Sequence, residues 1–163
     1  MCGIAGYIGY REISSEQIGR TLNLMKRRGP DNQKPRHYRC DNTHLYLLHS
    51  RLSIIDVDHR ADQPFEDDGY VVVFNGEIYN YVELRQELRS RGYSFHTDSD
   101  TEVLLKGYIE FGDECVHRFE GMWAFAIWDP NKKKLLLSRD RFAEKPLYIF
   151  RADNGIYFGS ETR

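Results

Sequence analysis

No stretch of this 163-residue sequence stays apolar for the length of a membrane span, and the N-terminus has neither the basic nor the apolar region of a secretory leader. The expectation is a cytoplasmic protein with no membrane partner. An excess of one charge is also lacking: 23 lysines and arginines stand against 25 acidic residues, with no long run of either, so no footprint for nucleic acid exists. Cysteine is scarce. Cys2, Cys40 and Cys115 are odd in number and widely spaced, which argues against a disulfide framework and a cysteine-based zinc site. The phosphate-cradling patterns G-x-x-x-x-G-K-[ST] and G-x-G-x-x-G are missing, as is H-E-x-x-H. His37, His44, His49, His59, His96 and His117 are scattered, and each reads as an ordinary surface or hydrogen-bonded side chain. Neither a metal nor a cofactor is expected.

What is present fits one domain over residues 1–163. "CGIAGYIGY" reads as a buried strand, and "SSEQIGRTLNLMKRRGP" as a helix capped by Ser14 or Ser15 and stopped by Gly29-Pro30. "HLYLLHSRLSIID" alternates toward β structure. "YVVVFNGEIYN" is the most strand-like run and carries an Asn-Gly turn signal at its end. Helices follow in "YVELRQELRSRGY", ended by Gly92, and "SDSDTEVLLKGYIEFGD", capped by Ser99 or Asp100 and ended by Gly112. Two hairpins close the chain, turning at "PNKK" and "ADNG". Many antiparallel strands with a few inserted helices predict an α+β sandwich of two facing sheets with helices outside.

Cys2 follows the initiator Met1 directly. It can be one more small residue at the start of a strand, or it can be chemistry. A free thiol has a pKa of about 8.5, so attack at neutral pH needs a base. Once Met1 is trimmed, the α-amino group of Cys2, with a pKa of about 7.7–8.0, can take that proton, placing nucleophile and base on one residue.

The segments "MCGIAG", "RRGPD", "LLHSRLSIIDVDHRADQP", "FNGEIYNYVELRQEL", "SDSDTEVLL", "GMWAFAIWD" and "RDRFAEKPLY" occur in that order. Together they resemble the glutaminase domain of the class II glutamine amidotransferases, and most closely that of the glutamine-hydrolysing asparagine synthetases. The resemblance implies the N-terminal nucleophile hydrolase fold, a four-layer α/β/β/α sandwich of two antiparallel sheets flanked by helices. It implies that Cys2 attacks the glutamine carboxamide, forms a γ-glutamyl thioester with release of ammonia, and yields glutamate. Asn75 and Gly76 would supply the oxyanion donors, although locally the pair reads as a plain hairpin turn. Arg51 would bind the α-carboxylate, with Leu52, Ser53, Ile54 and Ile55 along the same wall. Glu77 and Asp100 would face the α-ammonium. Without the resemblance, Asp100 reads as a helix cap, and Glu77 with Arg51 as a surface ion pair. "RRGPD" would be a turn near the site and "RDRFAEKPLY" a loop joining the two hairpins. The family usually has glycine at Ala143, which implies a loop backbone held to negative φ here.

An asparagine synthetase also needs an ATP- and magnesium-dependent synthetase domain, expected to be absent from this chain. The implied partners are L-glutamine and a synthetase domain, in cis or on a partner chain, that receives ammonia; a homodimer is compatible. Two alternatives remain open: an amidotransferase half with another acceptor, and a non-catalytic glutamine-binding module.

Overall fold

The small and apolar residues at the N-terminus form β1 (Gly3–Gly9), the middle strand of a five-stranded antiparallel sheet. Its other members are β2 (Asn32–Cys40), β3 (Thr43–Arg51), β8 (Tyr148–Ala152) and β9 (Gly155–Gly159), in the order β2-β3-β1-β9-β8. A second antiparallel sheet of four strands runs β4-β5-β6-β7, from β4 (Phe65–Asp67), β5 (Tyr70–Ile78), β6 (Gly121–Asp129) and β7 (Lys134–Arg139). This computed structural model describes residues 1–162.

The two sheets pack face to face. Ile4, Leu45 and Leu47 of the first meet Val71, Val73, Ala124, Ala126 and Trp128 of the second. Helix α1 (Ser15–Met25) covers the outer side of the first sheet, where Met25 packs with Tyr7, Tyr46 and Leu48. Helices α2 (Tyr81–Ser90) and α3 (Asp100–Phe111) cover the second sheet, with Leu84, Leu88, Leu104 and Tyr108 against Val72, Phe74, Phe125 and Ile127. The expected α/β/β/α order is the observed one.

The capping signals hold. Ser14 and Gln17 form a reciprocal capping box on α1, Ser99 caps α3 through the Glu102 N–H, and Gly112 ends α3 at φ +61°. Asp100 is therefore a first-turn residue and not the cap. Both closing hairpins form, β6–β7 and β8–β9, yet they belong to different sheets, and residues 140–147 cross between them as the expected connecting loop.

Two strands and one turn differ from the sequence reading. β2 carries Pro35 and several basic residues, an edge composition with no clean apolar alternation. β4 is only three residues long. The Asn75-Gly76 pair is no hairpin turn: it lies inside β5, opposite Ala124 and Trp123 of β6. β5 runs on to Ile78 and leads into α2, so no following strand exists for a turn to pair.

Ala143 corrects the expectation for its loop, since it sits at φ +58°. Asp140 organises the segment, accepting from the N–H groups of Phe142, Glu144 and Lys145, each at 3.0 Å, and of Trp123 at 3.2 Å. These bonds impose the left-handed backbone even on alanine. That conformation costs an L-residue about 1–2 kcal/mol, and the extra freedom of unfolded glycine offsets roughly 0.4–1 kcal/mol of the relief. Ala143→Gly should therefore raise stability by about 0.5–1 kcal/mol, read as a higher urea midpoint at unchanged m-value.

Candidate active site

Side chains alternate faces along a strand, and three strands change from apolar to polar at the same end of the sandwich. Ile4 is core and Cys2 lies two residues before it; Leu45 and Leu47 are core and His49 and Arg51 follow; Val71 and Val73 are core and Asn75 and Glu77 follow. The space between the sheets thus ends in a polar cleft of about 100 Å³. Of the predicted residues, Cys2, Arg51, Leu52, Ile54, Ile55, Asn75, Gly76, Glu77 and Asp100 all line it. Ser53 does not: its N–H turns to Asp31 Oδ2 at 2.8 Å, which also places the "RRGPD" turn beside the site. A larger apolar groove of about 610 Å³ lies between α1 and the β8–β9 hairpin, but no thiol lines it. The smaller cleft holds all but Ser53 of the site residues singled out from the sequence.

Cys2 is held by its neighbours' main chain. Its Sγ lies 3.4 Å from Leu52 N and 3.6 Å from Leu52 O, and its carbonyl accepts from Arg28 Nε at 3.0 Å. Burial pushes the Cys2 thiol above its ordinary pKa, while the Leu52 N–H, the chain terminus and Arg51 pull it back only in part. A nucleophile in this setting needs a base. Met1 still lines the cleft, its Sδ 3.2 Å from Lys145 Nζ. Cys115 is sealed in the outer core with its thiol pushed up to about 12 by burial, and Cys40 packs at the margin of the inter-sheet core.

The donors come from the edge of β5. Antiparallel pairing sends alternate N–H groups to opposite sides of a strand. Phe74 and Ile78 point theirs away from β6, to Gln63 Oε1 at 2.6 Å and Asp100 Oδ2 at 3.0 Å. Gly76 lies midway, on the same edge, and its N–H has no partner among the described residues. Glycine is required there, because a Cβ would fall 2.3 Å from the Met122 carbonyl oxygen. Beside it, Asn75 is 1% exposed and its Nδ2 is buried without a partner among the described residues. Two N–H donors are therefore left open at one end of the cleft.

The charges are arranged differently from a surface pair. Arg51 is 5% exposed and donates to Asp62 Oδ1 at 2.6 Å, to the Asp58 carbonyl at 2.9 Å and to the Asp56 carbonyl. Those bonds leave Nε and one Nη2 proton of the fork available. Glu77 makes no ion pair among the described residues. Asp100 is 5% exposed, and burial raises its carboxyl to about 6 despite the Ile78 N–H, with Glu77 adding to the rise.

Over residues 1–163 the sequence matches the family model described as the glutamine amidotransferase domain. The chain is a glutamine amidotransferase domain. It is 42% identical over 170 residues to the glutamine-hydrolyzing asparagine synthetase 1 of Bacillus subtilis, covering all of this chain and 26% of that protein. A putative glutamine-hydrolyzing asparagine synthetase 2 of Methanocaldococcus jannaschii is 37% identical over 180 residues, covering all of this chain and 34% of its own length. The domain thus spans about a quarter to a third of the curated relatives it matches. The glutamine phosphoribosylpyrophosphate amidotransferase from B. subtilis, solved with ADP and GMP, shares the fold at a TM-score of 0.77 and 19% identity, over 98% of this domain and 42% of that chain. The sandwich is that of the N-terminal nucleophile hydrolases.

Three cleft-side residues escaped the sequence reading. Gln63 sits in a loop with no periodic signal. Lys145 lies in the crossing loop, and His49 was taken as an ordinary histidine although the spacing Leu45, Leu47, His49, Arg51 already placed it on the inner face of β3.

Asp100 generates a pH signature for the amidotransferase domain. An unfolded aspartate titrates near 3.9 and the folded one near 6, so the native state holds the proton more tightly. Its contribution is whole below pH ~4 and is lost as the pH rises through ~6. Asp100→Asn should remove this fall, on the order of 2–3 kcal/mol, in urea titrations compared at pH 4 and pH 7.

Proposed function

We propose that this domain hydrolyses L-glutamine to glutamate and ammonia, with Cys2 as nucleophile after removal of Met1. One observation carries the reading: a partly buried thiol shares a cleft with two N–H donors, Asn75 Nδ2 and Gly76 N–H, that have no hydrogen-bond partner among the described residues. Unpaired buried donors cost stability, and they suit a site where negative charge develops only during reaction.

The freed α-amino group of Cys2 accepts the thiol proton as Sγ attacks the side-chain carbonyl carbon. The carbonyl electrons move onto oxygen, which Asn75 and Gly76 hold. Collapse of this tetrahedral species breaks the C–N bond, and the ammonium form of the terminal amine returns a proton to the departing ammonia. Water then attacks the γ-glutamyl thioester, the same amine takes its proton, and the C–S bond breaks to regenerate Cys2. Covalent catalysis divides one difficult step into two.

Recognition follows from the charges. The open edge of the Arg51 fork suits the α-carboxylate, and Asp100 with Glu77 suits the α-ammonium. Leu52, Ile54 and Ile55 enclose the methylene chain. Arg51 is already paired with Asp62, and Glu77, Asp100 and Lys145 supply the other charges that line the cleft. Nucleophile, base and donors all belong to the chain, and the hydrolysis needs no cofactor. The relatives' length supports a synthetase segment as the consumer of ammonia, with aspartate or another carboxylate as acceptor, in a cytoplasmic protein.

Intact-mass measurement should give a chain lacking Met1 that gains one adduct from 6-diazo-5-oxo-L-norleucine, a glutamine mimic that alkylates such thiols. Cys2→Ala should gain none, and an adduct on Cys40 or Cys115 instead would defeat the assignment. Asn75→Ala should lower kcat by about 10²–10³-fold, the usual cost of one oxyanion donor, with little change in KM.

A further inference from the structure

His49 has no part in the reaction as described, yet it is sealed between the two sheets at 1% exposure. It reaches from the first sheet to the second, with Nε2 3.2 Å from the Phe74 carbonyl oxygen. A carbonyl can only accept, so the proton lies on Nε2 and Nδ1 carries a bare lone pair. That Nδ1 is buried without a partner among the described residues. Burial also pushes the imidazole down to about 4, which keeps the ring neutral and its single donor in place.

The other polar group of Phe74 is held as well. Its N–H donates to Gln63 Oε1 at 2.6 Å, and Gln63 Nε2 is tied to Thr101 Oγ1 of α3 at 3.2 Å. β4 reaches only to Phe65, opposite Val72, and Pro64 beyond it has no N–H with which to extend the ladder. From Phe74 onward the β5 edge would otherwise be loose. Leucine at position 49 would continue the apolar line of Leu45 and Leu47. Histidine adds one cross-sheet hydrogen bond and an orphan nitrogen, a poor exchange for stability alone.

We propose that His49 is a positioning residue: together with Gln63 it replaces the ladder partner that Phe74 lacks, and so holds the adjoining Asn75 amide and Gly76 N–H at the place of the oxyanion. The Phe74 carbonyl belongs to the same peptide plane as the Asn75 nitrogen, so fixing one orients the other. Donors of this kind act only when preorganised. A displacement near 1 Å can cost about 10²-fold in rate.

This rests on hydrolysis centred on Cys2, so the parent and Cys2→Ala are assayed alongside the variants in the full chain. A parent without glutaminase activity overturns both readings, whereas an active parent with inactive Cys2→Ala isolates the question of His49. His49→Leu is expected to lower kcat about 10- to 100-fold, with KM within about threefold and iodoacetamide alkylating Cys2 at the parental rate. His49→Gln, whose amide can donate to the same carbonyl, should recover at least about tenfold of a full loss. Melting temperatures measured in parallel should not track this order. A leucine variant within about threefold of the parent in kcat, a loss confined to KM, or a glutamine variant no faster than leucine overturns the proposal. Gln63→Leu tests the same peptide from its other side and decides the matter if His49→Leu is insoluble: a selective loss of kcat supports the clamp, and unchanged kcat overturns it.

Discussion

β5 outruns its partner β4, and the length of unpaired strand edge that results is the constraint on which the rest of the cleft depends. A buried backbone N–H normally finds an acceptor, because leaving one bare costs about as much as a lost hydrogen bond. Along this edge Gln63 and Asp100 satisfy the donors of Phe74 and Ile78 on either side of Gly76. Among the described residues Gly76 is passed over, and Asn75 beside it keeps an amide nitrogen unpartnered. Two unmet donors thus line the same cleft as the thiol of Cys2.

The electrostatics of the cleft follow from the same burial. Arg51 lies too deep to stand unpaired, and Asp62 with two loop carbonyls compensates its charge. Asp62 in turn is pushed up by burial but held below the ordinary carboxylate range by Arg51 and His59. Asp100 has backbone donors but no ion pair among the described residues, and burial raises its carboxyl. Any cation that entered the cleft would lower that carboxyl again. Breaking the Arg51–Asp62 pair would strand a buried charge, so the loop carrying Asp56, Asp58 and Asp62 belongs to the site as much as the strands do.

Much of this was legible from residue order. The three helices, their caps at Ser14 and Ser99, the stop at Gly112 and the two closing hairpins all follow from local rules, because each depends on residues within a turn or two. Position 2 stood out by its place behind Met1, whereas the Asn-Gly pair as donors and the charged residues at 51, 77 and 100 were singled out through the resemblance, and all of them line one cleft. Local rules failed where a partner distant in sequence decides. Asn-Gly favours a tight turn, yet pairing with β6 keeps it extended. Alanine disfavours positive φ, yet the bonds to Asp140 hold Ala143 there. Ser53 was placed on the cleft wall, yet Asp31 draws its N–H away.

The sequence by itself determined that a cysteine stands directly behind Met1, the α+β class and most helix boundaries, since these are properties of neighbouring residues. Only the tertiary structure decided which sheet each hairpin joins, which edge of β5 is left unpaired, and that His49 bridges the sheets to the residue preceding Asn75. Those depend on register and on groups brought together from far along the chain. No periodicity records them, because they come into being only when the two sheets meet.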